Sequence, residues 1–114
     1  MDLTFNDVDG TRVISVAESR IDAAGAIQFK DNMRELTEAG PDRVVLDLSK
    51  VDFLDSSGLG AVVAAMKQAG PEKNLELAGL TPTVAKVFRL TRMDGVFSIH
   101  ASVEAALARL ANAG

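Results

Sequence analysis

Residues 43–60 read Arg-Val-Val-Leu-Asp-Leu-Ser-Lys-Val-Asp-Phe-Leu-Asp-Ser-Ser-Gly-Leu-Gly, and they decide the fold class. Their first part, Arg43 to Leu48, is almost continuously apolar, which is typical of a strand covered on both faces of a sheet. The apolar side chains then recur with helical spacing, at Leu59, Val62, Val63 and Met66. A buried strand that leads into a helix indicates an α/β domain with a central, largely parallel sheet.

The residues before this stretch predict an opening hairpin and one helix. The segments around Leu3-Phe5 and over Arg12 to Ala17 alternate or are β-branched, and they flank a turn at Asp9-Gly10. An amphipathic helix is predicted after Asp22 and should end at Gly40-Pro41. Its apolar face consists of Ala26, Phe29, Met33 and Leu36.

The residues after this stretch predict two further strands, each followed by a helix. The first strand is Asn74 to Ala78, and Thr81-Pro82 caps and starts a helix that runs to about Arg92. The second strand is Val96 to Ile99, and Ser102 caps the last helix. The apolar stripe of that helix consists of Val103, Ala106, Leu107 and Leu110. We therefore predict one domain over residues 1–114, with the order ββαβαβαβα and a mixed sheet covered by helices.

Composition argues against several classes of protein. Twelve basic and sixteen acidic residues give a net charge of −4, which disfavours binding to nucleic acid through its phosphates. The chain has no cysteine and one histidine, so we predict no disulfide, no metal site and no cofactor. The start of the chain lacks the basic and apolar segments of a signal peptide, and no apolar run reaches the ~20 residues that span a bilayer. These features predict a cytoplasmic protein that does not bind a membrane.

One loop, Asp55 to Gly60, joins the buried strand to a helix through small polar residues. Asp55, Ser56 or Ser57 would cap the helix. Glycines at 58 and 60 cost ~1 kcal/mol each relative to alanine within a helix, so we expect close backbone approach at both positions. The free N–H groups of this helix start can accept an anion or the backbone of a partner. The alternative is a structural cap with tight packing between helix and sheet.

The segment Val51 to Gly60 resembles the signature of STAS domains, and specifically of anti-sigma-factor antagonists. In that family the Asp-Ser-Ser-Gly-Leu-Gly loop carries a serine that a partner kinase phosphorylates. Three other segments support the resemblance, which extends over almost the whole chain. They are Ile21-Asp22, Val45 to Leu48 and Leu90 to Phe97.

The resemblance implies a STAS fold and a regulatory interaction switch. Ser56 takes the place of the phosphoacceptor, with Asp22 and Asp55 on either side of it. The implied partner-binding residues are Asp22, Ala23, Asp55, Ser57, Gly58, Leu59 and Gly60. The implied partners are an anti-sigma factor that is also a serine kinase of the histidine-kinase-like ATPase fold, and a metal-dependent serine phosphatase. For Asp22, the residues alone equally favour an ordinary helix N-cap.

Two other functions compete with this switch. A serine hydrolase requires the Gly-x-Ser-x-Gly elbow, which is absent, and a base, for which only His100 is present. We expect His100 to be a surface residue at the start of the last helix, and we predict that the chain is not an enzyme. A passive STAS module could instead bind a nucleotide or phosphate group at the same helix N-terminus. The Gly-Lys-Ser/Thr of a phosphate-binding loop is absent, which weakens the case for nucleotide.

Overall fold

The computed structural model describes the backbone of residues 1–113 and the side chains of residues 1–108. These residues form seven strands and four α-helices. The strands are β1 (Leu3–Val8), β2 (Thr11–Val16), β3 (Arg20–Ile21), β4 (Arg43–Asp47), β5 (Phe53–Leu54), β6 (Asn74–Ala78) and β7 (Ile99–His100). The helices are α1 (Ala26–Glu38), α2 (Ser56–Ala69), α3 (Pro82–Leu90) and α4 (Val103–Ala113), with a 3-10 turn at Met93–Gly95. No helix within the described residues is long and apolar enough to cross a membrane.

The main sheet has five strands in the order β1-β2-β4-β6-β7. The β1-β2 pair is the predicted antiparallel hairpin, and the remaining pairs are parallel. Strand β4 lies at the centre, as its apolar run predicted. The α/β class and the mixed, largely parallel sheet are therefore confirmed.

Helices cover both faces of this sheet. Val44 and Leu46 of β4 belong to a large core that includes Phe29 of α1 and Val62 of α2. Val45 points to the opposite face, where it packs with Ala78 and with Ala106 of α4. The alternation of side chains along a strand, together with cover on both faces, explains why no polar residue interrupts β4 before its end. Leu110 of the predicted stripe lies outside the residues whose side chains are described.

Three predictions about the elements need correction. The predicted order omitted β3 and β5, which are two residues long and too short to produce a periodic pattern. The last strand does not begin at Val96, because the 3-10 turn ends there and pairing starts only at Ile99. Close approach explains Gly58 alone: a Cβ there would overlap the carbonyl oxygen of Ile21, whereas a Cβ at Gly60 would meet no atom within 4 Å.

A buried polar network joins the last strand and helix to the sheet. The Glu76 carboxylate accepts hydrogen bonds from Arg43 Nε at 2.7 Å and Nη2 at 3.0 Å, and from Asn74 Nδ2 at 2.9 Å. His100 Nε2 lies 2.6 Å from Glu76 Oε1, and Arg43 Nη2 also donates to the Ala106 carbonyl in α4 at 2.9 Å. The expectation of a surface His100 was wrong, because its side chain is only 8% exposed. Burial of Glu76 is tolerated because these donors replace water.

We predict that Gly58→Ala destabilises the fold by about 1–3 kcal/mol, the usual cost of overpacking. The new methyl group would force α2 away from Ile21. The control, Gly60→Ala, stands in open space within the same helix and should stabilise by up to about 1 kcal/mol. Urea denaturation monitored by circular dichroism measures both values. Equal stabilities for the two variants would contradict the close approach at Gly58.

We also predict that Glu76→Gln destabilises the protein at pH 7 and that the difference from wild type shrinks in acid. Hydrogen bonding to Arg43 lowers the pKa of Glu76 from its ordinary 4.5, burial opposes this, and His100 reinforces it. A lowered pKa in the folded state contributes stability above pH 4.5 that is lost as the pH falls through the folded value. Urea titrations between pH 7 and pH 3 test this.

The control for that experiment is Glu72→Gln, which removes the same charge from an exposed position near the start of β6. A stability difference between wild type and Glu76→Gln that stays constant down to pH 3 would show that the carboxylate does not titrate as the network requires.

Candidate functional site

The carboxylate of Asp55 holds the candidate site together. Its Oδ1 accepts a hydrogen bond from the Gly58 N–H at 2.8 Å, and its Oδ2 accepts one from the Ala23 N–H at 3.2 Å. The first bond caps α2, so Asp55, rather than Ser56 or Ser57, is the N-cap residue. The second bond ties the loop before α1 to the start of α2. One side chain therefore fixes two segments that are 32 residues apart.

The two serines lie at the start of α2 and face solvent. Ser56 is the first helical residue and Ser57 the second, and both are exposed. The helix thus begins three residues earlier than Leu59, where the apolar spacing becomes visible. At this position the helix dipole and the first N–H groups favour a negative charge on either hydroxyl.

Asp22 does not cap α1. The N-cap residue is Gly25, whose N–H donates to the Asp22 carbonyl at 3.1 Å, and the Asp22 side chain instead lies 3.2 Å from Arg20 Nε. The N-cap interpretation was wrong because a turn of three residues, Ala23 to Gly25, separates Asp22 from the helix. The Asp22 carboxylate is consequently left on the surface beside the loop.

The short parallel pair β3-β5 explains why these segments meet. Arg20 is opposite Phe53, and Ile21 is opposite Leu54. The two strands run in the same direction, so the residues after Ile21 and those after Leu54 leave the pair side by side. The absence of a side chain at Gly58 lets α2 start directly against Ile21. The structure in this way brings Asp22 and Ala23 together with the predicted loop Asp55 to Gly60.

Two residues next to the loop were missed by sequence reasoning. The guanidinium carbon of Arg20 lies 5.0 Å from the centre of the Phe53 ring, a distance typical of a cation–π contact. Phe53 is 42% exposed although it is a large apolar residue. The sequence signal for Phe53 was weak, a phenylalanine directly after Asp52, since the two-residue strands that align it with Arg20 leave no pattern.

The site presents two exposed hydroxyls and a half-buried carboxylate at the start of α2. Within the described residues, no group of three or more histidine, cysteine or acidic side chains could hold a metal ion. His100 Nε2 is engaged with Glu76, so that nitrogen is not available to a serine hydroxyl. A cleft of about 420 Å³ between α3 and β7 is lined by Phe88, Arg89, Ile99 and His100, among others, and by none of residues 55–60.

Comparisons with known proteins agree with this architecture. The STAS domain family model matches residues 3–106. BtrV of Bordetella bronchiseptica, which carries the provisional name of an anti-sigma factor antagonist, is 33% identical over 95% of this chain and 93% of its own length.

Solved structures give the same result. The crystal structure of an anti-sigma factor antagonist from Mycobacterium paratuberculosis superposes with a TM-score of 0.84 at 28% identity, covering 95% of this chain and 92% of that one. The Bacillus protein SpoIIAA in its phosphorylated form superposes with a TM-score of 0.69 at 22% identity, covering 96% and 99%. A family model that spans nearly all of the chain, with relatives of the same kind in sequence and in structure, establishes that this chain belongs to the STAS domain family, among its anti-sigma factor antagonists.

Proposed function

We propose that this chain is a protein-interaction switch controlled by phosphorylation of Ser56. Without the phosphate it binds an anti-sigma factor that is also a serine kinase, and with the phosphate it does not. The observation that carries the proposal is the exposed Ser56 at the first position of α2, a helix start that Asp55 caps. In this proposal residues 1–114 act as one cytoplasmic domain without a cofactor, and catalysis belongs to the partners.

The partner surface that we propose consists of the loop and the segment tied to it. It comprises Asp22, Ala23, Asp55, Ser57, Gly58, Leu59 and Gly60, with Ser56 among them. Gly60 supports this assignment, because it is exposed and packing inside the molecule does not require a glycine there. A bare helix surface lets the backbone of a partner approach closely. The kinase is expected to have the histidine-kinase-like ATPase fold, and a metal-dependent serine phosphatase would reset the switch.

Electrostatic repulsion supplies the physical reason for release. Phosphorylation adds about −1.5 to −2 charges at neutral pH. Asp55 directly precedes Ser56, and Asp22, which is paired with Arg20, lies on the segment that Asp55 binds. The phosphate therefore adds its charge to a surface that already carries two carboxylates. A partner fitted to the unmodified surface would meet both the added charge and the added volume.

The modification should block the surface without refolding the domain. A phosphate at the start of a helix is stabilised by the dipole and the free N–H groups, by roughly 0.3–1 kcal/mol at an exposed position. Helix α2 is also anchored by Ala61, Val62 and Ala65, which are buried in the core. Phosphorylated SpoIIAA has the same fold as this chain, which is consistent with a local effect.

We predict that Ser56, and not Ser57, accepts the phosphate. The kinase is the ATPase recovered by affinity purification on the wild-type protein from native cell extract. With this kinase, wild type and Ser57→Ala should each gain one phosphate, and Ser56→Ala should gain none. Phosphopeptide mapping by mass spectrometry identifies the site. Phosphate on Ser57, or undiminished labelling of Ser56→Ala, would contradict the assignment.

We further predict that Ser56→Ala binds the kinase as tightly as wild type, whereas Ser56→Asp binds at least about tenfold more weakly, or about 1.4 kcal/mol. Alanine removes only a small hydroxyl, and aspartate adds a charge beside two carboxylates. Ser98→Asp, which adds the same charge to another exposed serine, is the control. Calorimetric titrations decide the matter, and wild-type affinity in Ser56→Asp would refute the electrostatic mechanism.

A further inference from the structure

Arg20 is a cation held at the edge of the candidate site by two weak contacts. Its Nε lies 3.2 Å from Asp22 Oδ2, and its guanidinium stacks 5.0 Å from the Phe53 ring centre. The Arg20 side chain is 60% exposed and that of Asp22 is 28% exposed. An exposed pair of this kind contributes little to stability, so the guanidinium can exchange its partner at small cost.

The backbone register puts Arg20 and Ser56 on adjacent segments of the chain. Arg20 is opposite Phe53 in the β3-β5 pair, and neighbouring strands lie about 4.8 Å apart. Ser56 follows Phe53 by three residues, or roughly 10 Å of extended chain. The Arg20 side chain already covers much of that distance, because it reaches forward to Asp22, which follows the end of β3. The hydrogen bond from the Ala23 N–H to Asp55 shows that the two segments remain adjacent after β3 and β5 end.

We propose that Arg20 receives the phosphate of phosphorylated Ser56 and gives up Asp22 to do so. The inference rests on the proposed function, because it describes what the modification of that serine does to the neighbouring surface. A phosphate dianion offers more charge than a carboxylate and three acceptor oxygens, which a guanidinium can bind with two parallel N–H donors. The Asp55 carboxylate keeps its place in this exchange, since each of its oxygens accepts a backbone hydrogen bond.

The consequence is that one modification changes the surface in three places. The phosphate covers the start of α2, the Arg20 guanidinium turns away from Phe53, and the Asp22 carboxylate loses its ion-pair partner. No bond other than the phosphate ester is made, and the backbone of β3 and α2 stays in place. A partner that recognised the Arg20-Asp22 pair or the stacked Phe53 ring would lose those contacts together with access to Ser56.

The test uses the full chain with phosphoserine genetically encoded at position 56, so that no kinase is needed. In wild type the Arg20 Nε–Hε signal should shift when phosphoserine replaces serine, and its exchange with water should slow. The phosphorus-31 titration midpoint should lie lower in wild type than in Arg20→Ala by about half a pH unit, since a nearby cation favours the dianion. Arg20→Lys should fall between them.

The control is Arg34→Ala, which removes an equally exposed arginine paired with Asp31 on α1. Its phosphorus titration should match that of wild type. Amide spectra of each variant verify that the fold is retained, and the charge-preserving Arg20→Lys keeps the experiment decisive if Arg20→Ala were to unfold.

An identical phosphorus titration in wild type, Arg20→Ala and Arg20→Lys, with no change at Arg20 Nε, would overturn the inference. This result is separable from failure of the proposed function. Absence of kinase-dependent phosphorylation at Ser56 would contradict the switch, whereas the encoded phosphoserine reports on Arg20 whether or not a kinase exists.

Discussion

The two hydrogen bonds accepted by the Asp55 carboxylate are the interaction on which the candidate site depends. A carboxylate has two oxygens, and here each binds the backbone of a different segment, Gly58 in α2 and Ala23 before α1. Because both donors are backbone N–H groups, the geometry is fixed without a second side chain. Ser56, which follows Asp55, is therefore presented on a rigid helix start although its own side chain is exposed. Such pre-organisation lets a partner bind without first ordering a loop.

The close contact of Gly58 with Ile21 imposes a second constraint on the same place. Helix α2 can begin directly against the end of β3 only because Gly58 has no Cβ. The short pair β3-β5 in turn sets which residues leave the sheet side by side. Under the proposed function, this arrangement concentrates Asp22, Asp55 and Ser56 on one surface, and a phosphate would act there through charge rather than through a change of fold.

The polar network around Glu76 contributes to the fold rather than to the candidate site. The Glu76 carboxylate connects β4 and β6 to β7, and Arg43 connects the same network to α4 by donating to the Ala106 carbonyl. The strand β7 has only two residues, so backbone pairing alone holds it weakly, and the His100 contact supplements that pairing. A histidine that looks isolated in the sequence is thus part of the polar network that stabilises the fold.

The sequence by itself determined the fold class, the central strand, the helix that follows it and the loop between them. It could do so because side-chain periodicity and the turn residues are local signals, readable at Val44 to Leu48, at Asp9-Gly10 and at Asp55 to Gly60. Only the structure decided that Asp55 rather than Ser56 or Ser57 caps α2 and that Asp22 does not cap α1. It also decided that Gly58 but not Gly60 meets a neighbouring backbone, that His100 is buried on Glu76, and that Arg20 and Phe53 border the site. The last three of these depend on contacts between residues far apart in the chain. Two-residue strands such as β3 and β5 leave no periodicity that would show which distant segments they join.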